Sequence, residues 1–124
     1  GTVLKASMVI SGDKATERAN VEEVAEATVD CLLNSVPAAV AGVVFLSGGQ
    51  SDVEATEHLN AMNQLGDLPW PLSFSYGRAL QAACLKEWAT DPKGKRESAQ
   101  KVLIHRARMN GLAAQGEWSK DLET

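Results

Sequence analysis

Three short, nearly continuous apolar runs alternate with longer segments of helical periodicity along this chain. The runs span residues 3–10, 42–46 and 71–75, and a segment with apolar residues at helical spacing follows each of them. Strands that alternate with helices form parallel βαβ units, and strands of such sheets are apolar along their whole length. The pattern therefore predicts an α/β fold with three consecutive βα units of a parallel sheet or barrel, followed by one further helix.

The predicted helices have recognisable starts. Asn20 and Ser51 are each followed three residues later by a glutamate, which is the spacing of a capping box. The predicted helices occupy residues 20–36, 51–65, 79–88 and 96–110. We expect one domain, in which residues 1–111 hold the βα units and the last helix and residues 112–124 form a tail.

Composition narrows the class of protein. The 124 residues are 44% hydrophobic and 23% charged, with a net charge of −4, so a broad nucleic-acid-binding surface, which would be basic, is not expected. No apolar run has transmembrane length and no signal peptide is evident, so we expect no membrane partner and a cytoplasmic location. Cys31 and Cys84 fit that location as reduced cysteines. The chain lacks an initiating Met and opens as though cut from something longer.

Lys5 lies inside the first apolar run. Burial disfavours the charged ammonium, and a neutral amine can attack a carbonyl and form a Schiff base. The alternative is a lysine whose stem is buried and whose head reaches water at the end of the strand. Lys5 by itself does not decide between these two interpretations.

A serine and two glycines end the second apolar run. Gly48 and Gly49 are free to adopt positive φ, and backbone N–H groups in such a turn can converge on a phosphate. The Ser47 hydroxyl can donate as well, and the helix that starts near Ser51 directs its positive dipole end to the same place. These features predict an anion-binding turn.

The third apolar run ends in a second turn of this kind. Gly77 allows a close backbone approach, and Arg78 offers a planar fork that matches phosphate oxygens. Either turn alone could be a plain strand-to-helix connection, but two in successive βα units are more specific. Neighbouring parallel strands would place both turns at one rim, with Lys5 one unit earlier. The combination predicts Schiff-base chemistry on a phosphorylated carbonyl compound.

Three stretches of the sequence resemble class I fructose-1,6-bisphosphate aldolases. They are GTVLK with the following Met8-Val9, VPAAVAGVVFLSGGQS at 36–51 and PLSFSYGRALQ at 71–81. The similarity covers nearly the whole chain up to about residue 118. It implies a partial TIM (β/α)8 barrel, in which this chain is the C-terminal portion with strands six to eight, a C-terminal helix and the tail.

The resemblance also implies an activity and its residues. It implies the glycolytic aldol cleavage of fructose 1,6-bisphosphate to dihydroxyacetone phosphate and glyceraldehyde 3-phosphate, and the reverse condensation, through a lysine Schiff base. The implied site residues are Lys5 as the catalytic amine and, for substrate and phosphate binding, Ser47, Gly48, Gly49, Ser75, Gly77 and Arg78. The family's acid/base carboxylates lie on the first five strands, so we expect this lyase fragment to be weak or inactive when isolated.

The sequence departs from the family pattern in two places. Ala6-Ser7 follows the lysine where the family usually has Pro-Asn, and the chain does not end in the tyrosine of the animal enzymes. The second departure puts a proton transfer mediated by the C-terminus in doubt.

Partners and alternatives follow from these features. The two histidines lack zinc-site spacing, so we expect neither a metal ion nor a cofactor. Three βα units cannot close a barrel, so we expect a homo-oligomer or association with the missing N-terminal half, besides the sugar-phosphate substrate. Two alternatives stay open, a transaldolase-like Schiff-base barrel and a non-catalytic half-barrel that binds phosphate or a partner protein.

Overall fold

The computed structural model describes all residues, 1–124, and has an α/β architecture. The elements in chain order are β1 (Val3–Ala6), α1 (Val21–Ser35), β2 (Gly42–Phe45), α2 (Asp52–Gln64), β3 (Leu72–Phe74), α3 (Arg78–Thr90), α4 (Arg96–Ala113) and a final 3₁₀ helix (Lys120–Glu123). The predicted order of three strands and four helices is confirmed.

The three strands form one parallel sheet in the order β1-β2-β3, so β2 is central and the other two are edges. Lys5 lies opposite Val44, which in turn lies opposite Ser73. Side chains in register on neighbouring strands share a face, so these three residues lie on one face of the sheet. None of them is buried, whereas Val43 and Leu72 on the opposite face are 0% and 2% exposed.

The core lies between that second face and the helices. Its largest fully buried apolar side chains belong to β2, α1 and α2, and they are Phe45, Val43, Val24, Leu59 and Met62. Burying each such side chain stabilises the fold by about 1.5–3 kcal/mol. One face of the sheet is therefore covered, and the face that holds Lys5 is not.

Both predicted capping boxes are present. The Asn20 Oδ1 accepts from the Glu23 N–H at 2.9 Å, and the Glu23 carboxylate accepts from the Asn20 N–H at 2.9 Å. Ser51 and Glu54 make the same reciprocal pair at the start of α2. The starts of α1 and α2 are thus fixed by the residues that predicted them.

The first strand is shorter than its apolar run. β1 ends at Ala6, although the run predicted a strand to residue 10. The Val9 N–H donates to the Thr28 Oγ1 in α1 at 2.9 Å, so a helix side chain rather than a strand satisfies it. Residues 7–20 form a connection that packs Met8 into the core.

The C-terminal segment packs on the helices. α4 continues to Ala113, beyond the predicted end at Gly111, and Trp118 is 6% exposed within the core. The Glu123 carboxylate accepts hydrogen bonds from Arg106 and from Trp118 Nε1. The stretch predicted as a tail is therefore attached to α4 at its far end. None of the helices combines the length and apolar character needed to cross a bilayer.

Candidate functional site

Lys5 lies on the uncovered face of the sheet. Its side chain is exposed, and it takes part in none of the ion pairs of the structure. The expectation that the Lys5 amine is desolvated is therefore wrong for this chain. The reason is that burial of a strand residue requires cover on its own face, and the apolar neighbours of Lys5 along β1 do not provide it.

The turn after β2 is closed by a backbone hydrogen bond. The Gln50 N–H donates to the Ser47 carbonyl at 3.1 Å, and Ser47 is 8% exposed. Of the two glycines, Gly49 alone has positive φ, at 76°. That backbone conformation is the reason for glycine here, since a Cβ would meet only the Ile10 Cδ1, the movable end of a side chain, at 2.9 Å.

The turn leaves backbone donors free. The N–H groups of Gly48 and Gly49 donate to no other backbone group of the chain. Consecutive free N–H groups in a turn make an anion-binding concavity. Gly48 and Gly49 therefore offer two free backbone donors, and phosphate binding at this turn stays a prediction.

The start of α2 is less open to an anion than its position after this turn predicted. The Ser51 Oγ accepts from the Glu54 N–H at 3.2 Å, and the Ser51 N–H donates to the Glu54 carboxylate at 2.9 Å. That backbone hydrogen bond from Ser51 lowers the pKa of Glu54. Asp52 and Glu54 both occupy the first turn, so two carboxylates already face the positive end of the helix dipole.

The start of α3 is different. Gly77 is its N-cap, no side chain caps it, and its first turn holds no acidic residue. An added Cβ at Gly77 would meet nothing within 4 Å, and Arg78 is exposed and outside every ion pair. The N–H groups of Leu80 and Gln81 donate to the Gly77 carbonyl, so the N–H groups of the first two residues of α3 and the Arg78 guanidinium remain available to an anion.

Tyr76 connects this second turn to α2 by a buried hydrogen bond. It is 5% exposed, its hydroxyl donates to the Ala55 carbonyl in α2 at 2.8 Å, and its ring lies 5.6 Å from that of Phe74. Burial raises the pKa of Tyr76, so its hydroxyl stays protonated. Tyr76 joins the turn to α2 and is not a proton-transfer group of the rim.

Backbone hydrogen bonds fix the relative positions of the three strand ends. The Leu46 N–H donates to the Ala6 carbonyl at 2.9 Å, and the Ser75 N–H donates to the Phe45 carbonyl at 2.8 Å. Ser75 itself is exposed. Two strand spacings separate β1 from β3, about 10 Å, with the serine–glycine turn between them. The structure has no enclosed pocket at this rim.

Comparison with known proteins identifies the family. The family model described as fructose-bisphosphate aldolase class-I matches residues 1–124. The chain belongs to the class I fructose-bisphosphate aldolase family. The resemblance stated from the sequence motifs is thereby confirmed.

Individual aldolases agree with this assignment. The chain is 63% identical over 118 residues to a "Probable fructose-bisphosphate aldolase class 1" of Xanthomonas axonopodis pv. citri, covering 95% of this chain and 35% of that protein. It is 53% identical over 126 residues to fructose-bisphosphate aldolase 1 of Caenorhabditis elegans, covering 98% and 33%. The chain thus spans about a third of the length of these aldolases.

A solved aldolase shares the fold. The structure of the Plasmodium falciparum enzyme, in complex with TRAP and a small-molecule inhibitor, superposes with a TM-score of 0.89 at 45% identity. The match covers 94% of this chain and 33% of that one.

Sequence reasoning missed a contact at the aldolase motif. His58 was considered only as a possible metal ligand, yet its Nδ1 lies 2.7 Å from the Gln50 Oε1, beside the glycine pair. The available signal was a polar side chain directly after the two glycines with a histidine two helical turns later. The structure has no cluster of three or more His, Cys, Asp or Glu side chains that could hold a metal ion, and Cys31 and Cys84 are free thiols.

Proposed function

We propose that this chain supplies the Schiff-base lysine and both phosphate-binding turns of a class I aldolase that acts on fructose 1,6-bisphosphate. The supporting observation is that Lys5, the serine–glycine turn and Arg78 come from three adjacent parallel strand ends in a chain of this family. The same order and register support the proposal that β1 to β3 are strands six to eight of a (β/α)8 barrel. The proposed activity is glycolytic, which favours a cytoplasmic location.

The proposed reaction begins at Lys5. Its deprotonated amine attacks the ketone carbon of fructose 1,6-bisphosphate, and loss of water gives an iminium ion. The bond between the third and fourth carbons breaks, its electron pair moves into the iminium, and a carboxylate outside this chain takes the proton of the hydroxyl on the fourth carbon. Glyceraldehyde 3-phosphate leaves. Protonation of the enamine carbon and hydrolysis of the imine then release dihydroxyacetone phosphate and restore the amine.

The two turns act by positioning. The free N–H groups of Gly48 and Gly49, together with Ser47, would hold a substrate phosphate, and Gly77 and Arg78 would bind from the neighbouring strand end. Holding the phosphate fixes the carbonyl against the amine and removes the entropy cost of bringing the two together. The exposed α3 terminus adds attraction for the anion without a competing carboxylate.

The second candidate function is that of a non-catalytic module that binds phosphate or a partner protein. The observation that favours it is the exposure of Lys5, because a catalytic lysine is activated by desolvation and nothing in this chain covers the side chain. In an assembled barrel, whether with another copy or with the remaining two thirds of an aldolase, the uncovered face of the sheet would be enclosed. We therefore propose that catalysis depends on such association and that the isolated chain is weak or inactive.

Borohydride trapping separates the two functions. The chain is mixed with an N-terminal aldolase portion that completes the barrel, incubated with dihydroxyacetone phosphate, reduced with borohydride, digested and mapped by mass spectrometry. We expect a covalent adduct on Lys5 that is absent in Lys5→Met and retained in Lys101→Met, which removes an exposed lysine of α4. If inorganic phosphate protects the turns but no adduct forms, the chain is a binding module.

A further inference from the structure

The serine–glycine turn is held from the helical layer by one side-chain contact. His58 lies on α2 and is 4% exposed, and its Nδ1 is 2.7 Å from the Gln50 Oε1. The backbone N–H of Gln50 closes the turn onto the Ser47 carbonyl. Gln50 is therefore held by a backbone hydrogen bond within the turn and by a side-chain hydrogen bond to a buried residue of α2.

The hydrogen of the bond between His58 and Gln50 belongs to the imidazole ring. An amide oxygen accepts but cannot donate, so the Nδ1 of His58 carries the hydrogen. The same N–H is present in the neutral imidazole of this tautomer and in the imidazolium ion, so protonation does not remove the donor. Burial lowers the pKa of His58, which favours the neutral ring near pH 7.

The hydrogen bond between His58 and Gln50 is one of three sets of contacts that restrain the serine–glycine turn. On one side, the Ile10 side chain packs against Gly49, and the positive φ of Gly49 disfavours any residue with a side chain at this position. On the C-terminal side, Ser51 is locked by its capping box with Glu54. Gln50 lies between these two restraints, and His58 is the residue that holds its side chain.

We propose that His58 is a positioning residue of the phosphate site, which through Gln50 holds the N–H groups of Gly48 and Gly49 in the orientation that binds phosphate. The inference rests on the proposed function of this turn. A turn without the restraint samples orientations in which its N–H groups diverge, so phosphate affinity falls while the amine of Lys5 is untouched.

The test uses inorganic phosphate as the probe and the amide signals of Gly48 and Gly49 as the NMR readout. His58→Leu removes the donor, Gln50→Met removes the acceptor, and His58→Asn places an amide N–H close to the original Nδ1. We expect phosphate to bind about fivefold more weakly to His58→Leu and to Gln50→Met, the equivalent of one neutral hydrogen bond, and within about twofold of the parent for His58→Asn. The variant that carries both His58→Leu and Gln50→Met should lose no more phosphate affinity than either single variant, because both substitutions remove the same hydrogen bond.

A matched control separates positioning from stability. Val29→Ala opens a small cavity in α1, and its loss of unfolding free energy should leave phosphate affinity unchanged. Equal phosphate affinity of the parent, His58→Leu and Gln50→Met would overturn the inference alone. Failure of the parent chain to shift the two glycine signals would overturn the proposed phosphate site and with it the inference. If His58→Leu does not fold, Gln50→Met and His58→Asn still decide between these outcomes.

Discussion

Arg106 is an almost fully buried cation whose partners lie in two other elements. Its Nη1 donates to the Glu123 carboxylate of the final 3₁₀ helix, and its Nη2 donates to the Thr56 hydroxyl of α2. His105 adds a contact to Glu123 at 3.2 Å. Burial pushes the pKa of Glu123 up, but the hydrogen bonds from Arg106 and His105 outweigh it and hold the pKa below its ordinary value. The end of the C-terminal segment is therefore held by charge, in addition to the burial of Trp118 in the core.

The residue-scale prediction concerns this carboxylate. Glu123→Gln should lower the free energy of unfolding by about 2 kcal/mol at pH 7, because it removes hydrogen bonds to a charged group and leaves Arg106 buried without its counter-ion. A lowered pKa in the folded state means that the contribution of Glu123 is present above about pH 4.3, the ordinary pKa of glutamate, and is lost as pH falls through the folded value. Urea unfolding at pH 7 and pH 3 measures it.

The control for this prediction is Glu87→Gln. Glu87 pairs with Lys95 at the surface, with side chains 31% and 45% exposed, so its loss should have a much smaller effect. If Glu123→Gln lowers the free energy of unfolding equally at pH 7 and pH 3, the charge of Glu123 does not stabilise the C-terminal segment.

Individual residues also mark the limit of sequence reasoning. The motifs predicted which residues stand at the strand ends, because glycine, serine and arginine in such turns have chemistry that sequence displays directly. They did not predict the exposure of Lys5, since exposure depends on what covers a sheet face. Nor did they predict the partners of Arg106 or His58, because these contacts join residues whose pairing only the packing of helices determines.

At the scale of elements, capping decides where helices start. Local signals at Asn20 and Ser51 predicted the first residues of α1 and α2, because a cap acts within one turn. The end of β1 was overestimated, since apolar residues such as Met8 enter the core without belonging to a strand. Hydrophobic periodicity in the sequence thus predicts the order of the strands and helices, whereas the ends of elements without a cap depend on tertiary packing.

The element-scale prediction compares the two caps. Ser51→Ala and Asn20→Ala should each lower the free energy of unfolding by about 1 kcal/mol, because each removes one capping oxygen. Ser51 directly follows the serine–glycine turn, so only its substitution should speed amide hydrogen exchange in residues 52–55 and weaken phosphate binding. Native-state hydrogen exchange measures the faster exchange of residues 52–55, and titration with inorganic phosphate measures the weaker binding. Equal phosphate affinity in both variants would show that the α2 cap does not support the turn.

At the scale of the whole molecule, the sheet is incomplete. β1 and β3 are unpaired edges, and Val3 is 58% exposed on the face that also holds Lys5 and Val44. Unpaired edges and exposed apolar sheet residues favour association with another chain. The family membership and the one-third coverage of the relatives agree with such a surface, because a longer aldolase has further residues to place against it.

The last prediction is that the isolated chain self-associates through this face. Sedimentation velocity over a range of concentrations should give a mass above the 13.2 kDa of one chain. Val44→Lys, at the centre of the face, should raise the dissociation constant at least about tenfold, because it replaces an apolar contact with a second cation directly opposite Lys5. Ile104→Lys, on an exposed position of α4, is the matched control and should leave the constant unchanged. If the chain is a monomer at every concentration, or if Val44→Lys and Ile104→Lys have equal effects, the uncovered face stays exposed to solvent. Association through this face would then not be what encloses Lys5.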